Sequence, residues 1–382
     1  DDSDGYCDIV MPMYRSNATC PNTPFYSEGQ NGDDCNDRVA TTNPGAAEVC
    51  NDGVDNNCNG QTDENCNTSI GNPITANLNA SSDAVKILNY LYELTGKADK
   101  KVISGQQLSH QSSDFSEYID PVYENTGEYF GLVGGDYYKM GASTANWPVV
   151  NPGLKSYWSD GGLTTLTIHM SNPCTGEGVR YTTCSLSEVL DINTQAHTNY
   201  MAHLDEIAKG LQDLEDSGVV VLFRPFHEMN GGWFWWGAQS GQFGNLWRHM
   251  FDYFTNTKGL NNLVLVFSPD KVNNQVMDYY PGDNYVDIVA LDIYSETLYS
   301  SHVTIYNTLI SSTGKPFGLG EFGPGSDPDG TYNYKILIDE IKVDMPQTTF
   351  FLAWGGQWSV YLNQNSAGLL QDSWIINRDD LN

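Results

Sequence analysis

The sequence predicts an α/β chain: a (β/α)8 TIM barrel over residues 83–382, preceded by a small acidic, disulfide-rich domain over residues 1–66 and a linker over residues 67–82. Three observations carry this. After residue 83, eight short apolar runs begin 23 to 56 residues apart, which leaves room for a crossover helix after each and therefore for parallel pairing. Six of the eight cysteines fall in the first 66 residues, which hold 13 acidic and 2 basic side chains and few aromatics or branched aliphatics. Between these regions the chain is polar and uncharged, the composition of a linker.

The N-terminal segment has too little apolar surface to form a core, so cross-links and metal must hold it together. Cys7, Cys20, Cys35, Cys50, Cys58 and Cys66 are expected to form disulfides, with many connectivities left open. Cys174 and Cys184, ten residues apart in what reads as a loop, are expected to form another, with two buried free thiols as the alternative. This cysteine usage points to an oxidising compartment, hence secretion or surface display. Zinc is disfavoured, because no Cys-x-x-Cys occurs and the segment has no histidine.

Closely spaced carboxylates repel unless a cation neutralises them, and calcium suits oxygen ligands. In the stretch from Asp55 to Glu64, Asp55, Asn57, Asn59 and Asp63 occupy positions 1, 3, 5 and 9 of an EF-hand-like loop; Gly60 stands where the sharp turn is needed, and the position-12 Glu is absent. Asp2, Asp4 and Asp8 form a weaker half-motif whose first ligand would precede the chain, so residue 1 is expected to begin a trimmed form. The absence of a starting Met and of a basic-then-apolar leader agrees with this. Asp33, Asp34, Asp37, Glu48, Asp52 and Glu64 are further candidate ligands. The runs 33–37 and 43–60 resemble the MopE-type metal-binding repeat, which is found appended to secreted bacterial proteins. The resemblance implies a structural Ca2+ domain; a metal-free acidic knot or solvated tail is the alternative. In a bacterial product the Asn-x-Ser/Thr triplets at Asn17, Asn67 and Asn79 would be chance matches.

The predicted barrel strands are 102–106, 129–136, 163–170, 219–225, 263–269, 286–294, 316–323 and 349–356. Helical periodicity is seen before the first of them, where Ala84, Val85, Leu88, Leu91 and Leu94 recur at helical spacing. An open doubly wound sheet is the competing architecture, but no Gly-x-Gly-x-x-Gly follows any early strand.

Charge excludes some functions. With 18 Lys and Arg against 48 Asp and Glu, the net charge is −30, and no basic field exists to attract nucleic acid or anionic lipid. No aliphatic run is longer than Val219-Val220-Val221-Leu222, so membrane insertion is not expected.

Polar residues gather at the C-terminal ends of the predicted strands: Asp136, His169, Arg224, His227, Glu228, Asp270, Tyr294, Glu321 and Trp354. In a barrel that face carries the active site. Glu228 and Glu321, projected into one mouth, are the minimum machinery for glycoside hydrolysis; a structural ion pair of Arg224 with Glu321 is the competing reading. Trp233, Phe234, Trp235 and Trp236 favour the first, since indole faces bind the apolar faces of sugar rings, although one or two of the four could be core residues.

The stretch from Phe223 to Gly237, Phe-Arg-Pro-Phe-His-Glu-Met-Asn-Gly-Gly-Trp-Phe-Trp-Trp-Gly, resembles the acid/base signature of glycoside hydrolase family 26, best known for endo-β-1,4-mannanases. The likeness continues through Ser104-Gly105-Gln106-Gln107, Thr167-Ile168-His169, Leu291-Asp292-Ile293-Tyr294, Gly320-Glu321-Phe322-Gly323 and Ala353-Trp354. It implies Glu228 as general acid/base and Glu321 as nucleophile. His169, His227, Trp233, Tyr294 and Trp354 would line the reacting sugar's subsite, and Arg224 would orient the carboxylates. It also implies a retaining, endo-acting, monomeric enzyme that needs no catalytic cofactor and takes β-mannan polysaccharides and manno-oligosaccharides. The chain departs from many mannanases in having Ile168 where they place Trp before the third-strand His. Mixed-linkage β-glucan and β-1,3-xylan are alternative substrates within the family, and a non-catalytic carbohydrate-binding scaffold is the alternative outside it. The stretch 171–219, clipped by Cys174 and Cys184, is expected to wall the cleft.

Overall fold

The computed structural model describes residues 75–138, 144–176, 178–180 and 184–381, together with Thr42, Asp55, Asn57, Cys58 and Gly60. The chain divides into two units at Asn72 and Pro73. In the second unit, strands β1 (Val102–Ile103) and β2 (Gly105–Gln107) are two halves of the first stave, interrupted at Ser104. The other staves are β3 (Leu132–Asp136), β4 (Leu163–Thr167), β5 (Val221–Arg224), β6 (Leu263–Phe267), β7 (Ile288–Tyr294), β8 (Phe317–Gly323) and β9 (Thr348–Ala353). All pair in parallel in sequence order, and β9 returns to β1 and β2, which closes an eight-stave barrel. Every predicted stave is present. A short strand not anticipated, β10 (Ile375–Ile376), adds alongside β1.

The alternation of each stave sorts its side chains into two cores. Leu132, Val220, Leu222, Val264, Val266, Ala290, Phe350 and Leu352 pack together inside the barrel; Val133, Val221, Phe223, Leu265, Phe267, Val289 and Leu291 face the surrounding helices. Helix α1 (Ser82–Thr95) belongs to the inner core, contributing Ala84, Leu88, Leu91 and Leu94, and so the apolar stripe read from the sequence plugs the end away from the strand C-termini. Its N-terminus is capped by Ser81, whose hydroxyl accepts the Ala84 N–H at 3.2 Å.

Residues 75–81 differ from the expected linker. The Ala76 N–H donates to buried Asp287 at 2.6 Å, the Asn77 amide donates to Leu260 O at 3.0 Å, and Thr75 and Asn77 are buried. The unit boundary therefore lies about ten residues before the expected 82/83 junction. Asn and Thr look like linker residues by composition, yet here their side chains satisfy backbone groups.

Among the described residues, Cys174 and Cys184 form a disulfide with a Cα separation of 5.5 Å, as expected, and Cys58 is also disulfide-bonded. Of the candidate calcium ligands, Asp55 and Asn57 are described; Asp2, Asp4, Asp8, Asp33, Asp34, Asp37, Glu48, Asp52, Asn59, Asp63 and Glu64 lie outside the described residues.

Candidate active site

A cleft of about 490 Å³ opens at the C-terminal ends of the staves. The sequence-predicted residues Glu228, Glu321, His169, His227, Trp233, Tyr294 and Trp354 all line it. Arg224 lies beneath, 2% exposed, and bonds to Asp292 at 2.9 Å and to Glu321. The ion pair weighed as a competing reading therefore exists, and it sits within the cleft's own floor.

Local backbone geometry aims these groups. Glu228 and Phe226 have φ of +54° and +48°, a left-handed conformation that side chains other than glycine adopt at a cost of about 1 kcal/mol or more each. The turn is held by the Glu228 N–H to Ser268 O at 2.8 Å and by the Trp236 indole N–H to His227 O at 2.8 Å. On β8, the pairing register shifts around Glu321. Its neighbour Gly320 must lack a side chain: a Cβ there would lie 2.3 Å from Ser268 Oγ and 2.6 Å from Asp292 Oδ1.

The carboxyl oxygens of Glu228, Asp292 and Glu321 approach within 4.8 Å of one another. Glu321 accepts from Arg224 through Oε1 and from the Tyr294 hydroxyl through Oε2 at 2.6 Å, and His227 Nε2 stands 3.6 Å from Oε1. Glu228 accepts the Trp233 indole N–H at 2.5 Å. Burial, then the charges of Glu321, Asp292 and Asp270, push the Glu228 carboxyl well above the ordinary range, against the opposing pull of that N–H. Burial and the Arg224 charge push His227 well below the imidazole range, which keeps the ring neutral. Against burial, Asp292 and Glu321 hold the Arg224 guanidinium more firmly protonated than usual.

On the other side of the mouth, Asp136 is fully buried and bonds through Oδ2 to His169 Nδ1 at 2.6 Å and to His110 Nδ1 at 2.7 Å. Burial opposes both shifts: against it, the bond to Asp136 raises His110, and the two imidazoles lower Asp136. His110, Arg180, Ser326 and Trp358 line the cleft without having been anticipated. Asp292 stood in a noted motif without a role. Of the aromatic run, Trp233 and Phe234 reach the cleft, whereas Trp235 and Trp236 are completely buried. Trp235 donates to Met170 O at 2.9 Å and supports the cleft from behind.

A (β/α)8 barrel with two carboxyls facing each other from its fourth and seventh staves, in a cleft walled by aromatic rings, is a glycoside hydrolase. The chain belongs to glycosyl hydrolase family 26, whose family model matches residues 76–380. A metal-binding motif of the MopE type matches residues 34–67. The chain is 36% identical over 330 residues to mannan endo-1,4-beta-mannosidase A and B of Caldalkalibacillus mannanilyticus, covering 80% of this chain and 63% of that one. It is also 36% identical over 324 residues to the mannan endo-1,4-beta-mannosidase of Bacillus subtilis strain 168, covering 80% of this chain and 88% of the relative. A solved structure of a Bacillus subtilis mannanase superposes with a TM-score of 0.72 at 35% identity, over 80% of this chain and 95% of that chain.

Proposed function

We propose that the chain is a retaining endo-β-1,4-mannanase that cleaves internal bonds of mannan, glucomannan or galactomannan. The observation that carries the mechanism is the approach of the Glu228 and Glu321 oxygens within 4.8 Å. Retaining enzymes set their carboxyls roughly 5 Å apart, whereas inverting enzymes leave several ångström more for a water. Glu321, oriented by Arg224 and Tyr294, attacks the anomeric carbon as the Glu228 proton passes to the leaving oxygen. Glu228, now a carboxylate, takes a proton from water as that water displaces Glu321. The raised Glu228 carboxyl suits the first step, in which the group must hold a proton to give to the leaving oxygen. His169, His227, Trp233 and Trp354 bind the reacting sugar from the lining of the cleft.

The mannan assignment rests on the family membership and on relatives that carry that activity in their names. Reducing sugar released from galactomannan, lichenan and β-1,3-xylan in parallel tests it. Release is expected from galactomannan first; a clear preference for lichenan would overturn the assignment.

The N-terminal unit is assigned a structural Ca2+. Gly60 has φ +89° and its N–H donates to Asp55 Oδ2 at 2.8 Å, so the first ligand position of the loop folds back on the glycine of the sharp turn, as an oxygen-ligand loop requires. Asp55 and Asn57 would hold the ion together with neighbouring oxygens, and the ion would neutralise the acidic run. No catalytic step passes through it. The disulfides support an oxidising, extracellular location, secreted or on the cell surface.

A further inference from the structure

The chain just after β6 carries an acidic side chain that the mechanism above leaves unused. Asp270 is 5% exposed and lines the cleft with Glu228 and Trp233. Its backbone is clamped to the segment that follows β5. The Asp270 N–H donates to Asn230 Oδ1 at 2.8 Å, and the Asn230 amide donates back to Asp270 O at 2.7 Å. Asn273 adds a bond to Asn230 O at 3.3 Å, and two residues earlier the Glu228 N–H meets Ser268 O at 2.8 Å. The loop bearing Glu228 and the loop bearing Asp270 are thus stitched along their length, which fixes Asp270 relative to Glu228.

A local structural duty does not account for the charge. Asp270 Oδ1 accepts the Val272 N–H at 2.6 Å, a turn contact that an asparagine amide oxygen supplies equally well. A carboxylate at this place is mostly desolvated and stands near the carboxyl groups of Glu321 and Asp292, which makes it unfavourable for the fold. Among the described residues no basic side chain forms an ion pair with it; the charge of the adjacent Lys271 offsets part of the cost of burial, and the carboxyl lines the cleft.

Its position around the barrel says which part of a ligand it meets. Between Glu228 after β5 and Glu321 on β8, one arc of the mouth carries Trp354, His110 and His169; their rings stand 5.3 to 6.0 Å apart and form a continuous wall. That wall suits the sugar that stays bound through the covalent step. The opposite arc carries Asp270, after β6, next to the carboxyl that protonates the departing oxygen.

We propose that Asp270 is a specificity-determining residue on the leaving-group side of the scissile bond, where its carboxylate accepts a hydrogen bond from a hydroxyl of the departing sugar. This rests on the β-mannanase reading and names a residue within it. A hydrogen bond to a charged acceptor contributes on the order of 10- to 100-fold in kcat/KM. The effect exists only when a sugar occupies that side.

The test compares the full chain with Asp270→Asn and Asp270→Ala on mannopentaose and on 4-nitrophenyl β-mannobioside, whose leaving group has no sugar hydroxyl. The Asn variant keeps the turn acceptor and removes the charge, and circular dichroism verifies that both variants are folded. For each variant kcat/KM on mannopentaose is expected to fall at least tenfold further than on the aryl glycoside, with transfer of mannosyl groups to added mannobiose reduced in parallel. Equal losses on the two substrates, a larger loss on the aryl glycoside, or no loss on either would overturn the assignment. If the unaltered enzyme ignores mannopentaose but cleaves another β-glycan, the mannan assignment fails, and the same comparison on that glycan and its aryl glycoside still decides the role of Asp270.

Discussion

Replacing Trp233 with Phe removes one N–H from the site while keeping an aromatic face for the sugar. That N–H donates to Glu228 Oε2 at 2.5 Å. It pulls the Glu228 carboxyl downward, against burial and the charges of Glu321, Asp292 and Asp270, which push it well above the ordinary range. Glu228 is 8% exposed, so the bond is little screened by water. A hydrogen bond to a charged acceptor is worth roughly 1.5 to 3 kcal/mol, and about 1.4 kcal/mol corresponds to one pH unit. Loss of the donor destabilises the carboxylate, so Glu228 holds its proton to a pH about 1 to 2 units higher. Because the free enzyme must carry that proton to begin the reaction, the alkaline limb of kcat/KM moves upward by the same amount. The acid limb of kcat moves upward too where the second step limits, because Glu228 must then act as a base. The assay is kcat/KM and kcat on a manno-oligosaccharide between pH 5 and pH 10, roughly the interval that brackets both limbs. An alkaline limb that stays in place or moves downward would refute Glu228 as the acid, or its bond to Trp233 as the element that tunes it.

Other perturbations bear on separate parts of the structure. Glu321→Ala is expected to abolish turnover and to yield an α-glycosyl azide when azide is added, whereas Glu228→Ala retains activity on substrates with good leaving groups; swapped rescue products would reverse the two roles. Burial lifts Asp287 to about 6 from 3.8, against the N–H groups of Leu265 and Ala76. Its folded value exceeds its unfolded one, so the folded chain holds the proton more tightly and stability falls as pH rises from about 4 to 6, by about 3 kcal/mol. Melting curves of Asp287→Asn should lack that fall, and a slope identical to that of the unaltered chain would contradict the assignment. Brief EDTA treatment should leave the initial hydrolysis rate nearly unchanged. Calorimetric titration with Ca2+ should give a heat of binding that Asp55→Ala reduces, and an absent or unaltered heat would remove the metal assignment.

The barrel was legible because each stave is a short apolar run bounded by polar segments, and because α1 shows one apolar face. Two-residue β10 and the break at Ser104 are shorter than any periodicity can register. Residues 75–81 have the composition of a linker because Thr and Asn look the same in sequence whether they face water or cap backbone groups.

Much of the site could be read for an energetic reason: a charged residue at the end of an apolar strand is costly unless it has a task, which singled out Arg224, Glu228 and Glu321. His110 lies three residues beyond β2 in a polar loop, so it carried no such signal until the fold brought it to Asp136. The sole hint was its place just after the Ser104-Gly105-Gln106-Gln107 motif. The aromatic run after Glu228 could not be divided by sequence into rings that face sugar and rings that fill the core. That division depends on the turn geometry at Phe226 and Glu228, both in the left-handed region.

The central claim is that Glu321 and Glu228 act from opposite sides of one anomeric centre by double displacement. Proton NMR of a manno-oligosaccharide digest, followed from the first seconds before mutarotation, tests it most directly. The β-anomer of the new reducing end is expected to form first and then relax to the equilibrium mixture; an initial α-anomer would contradict the account.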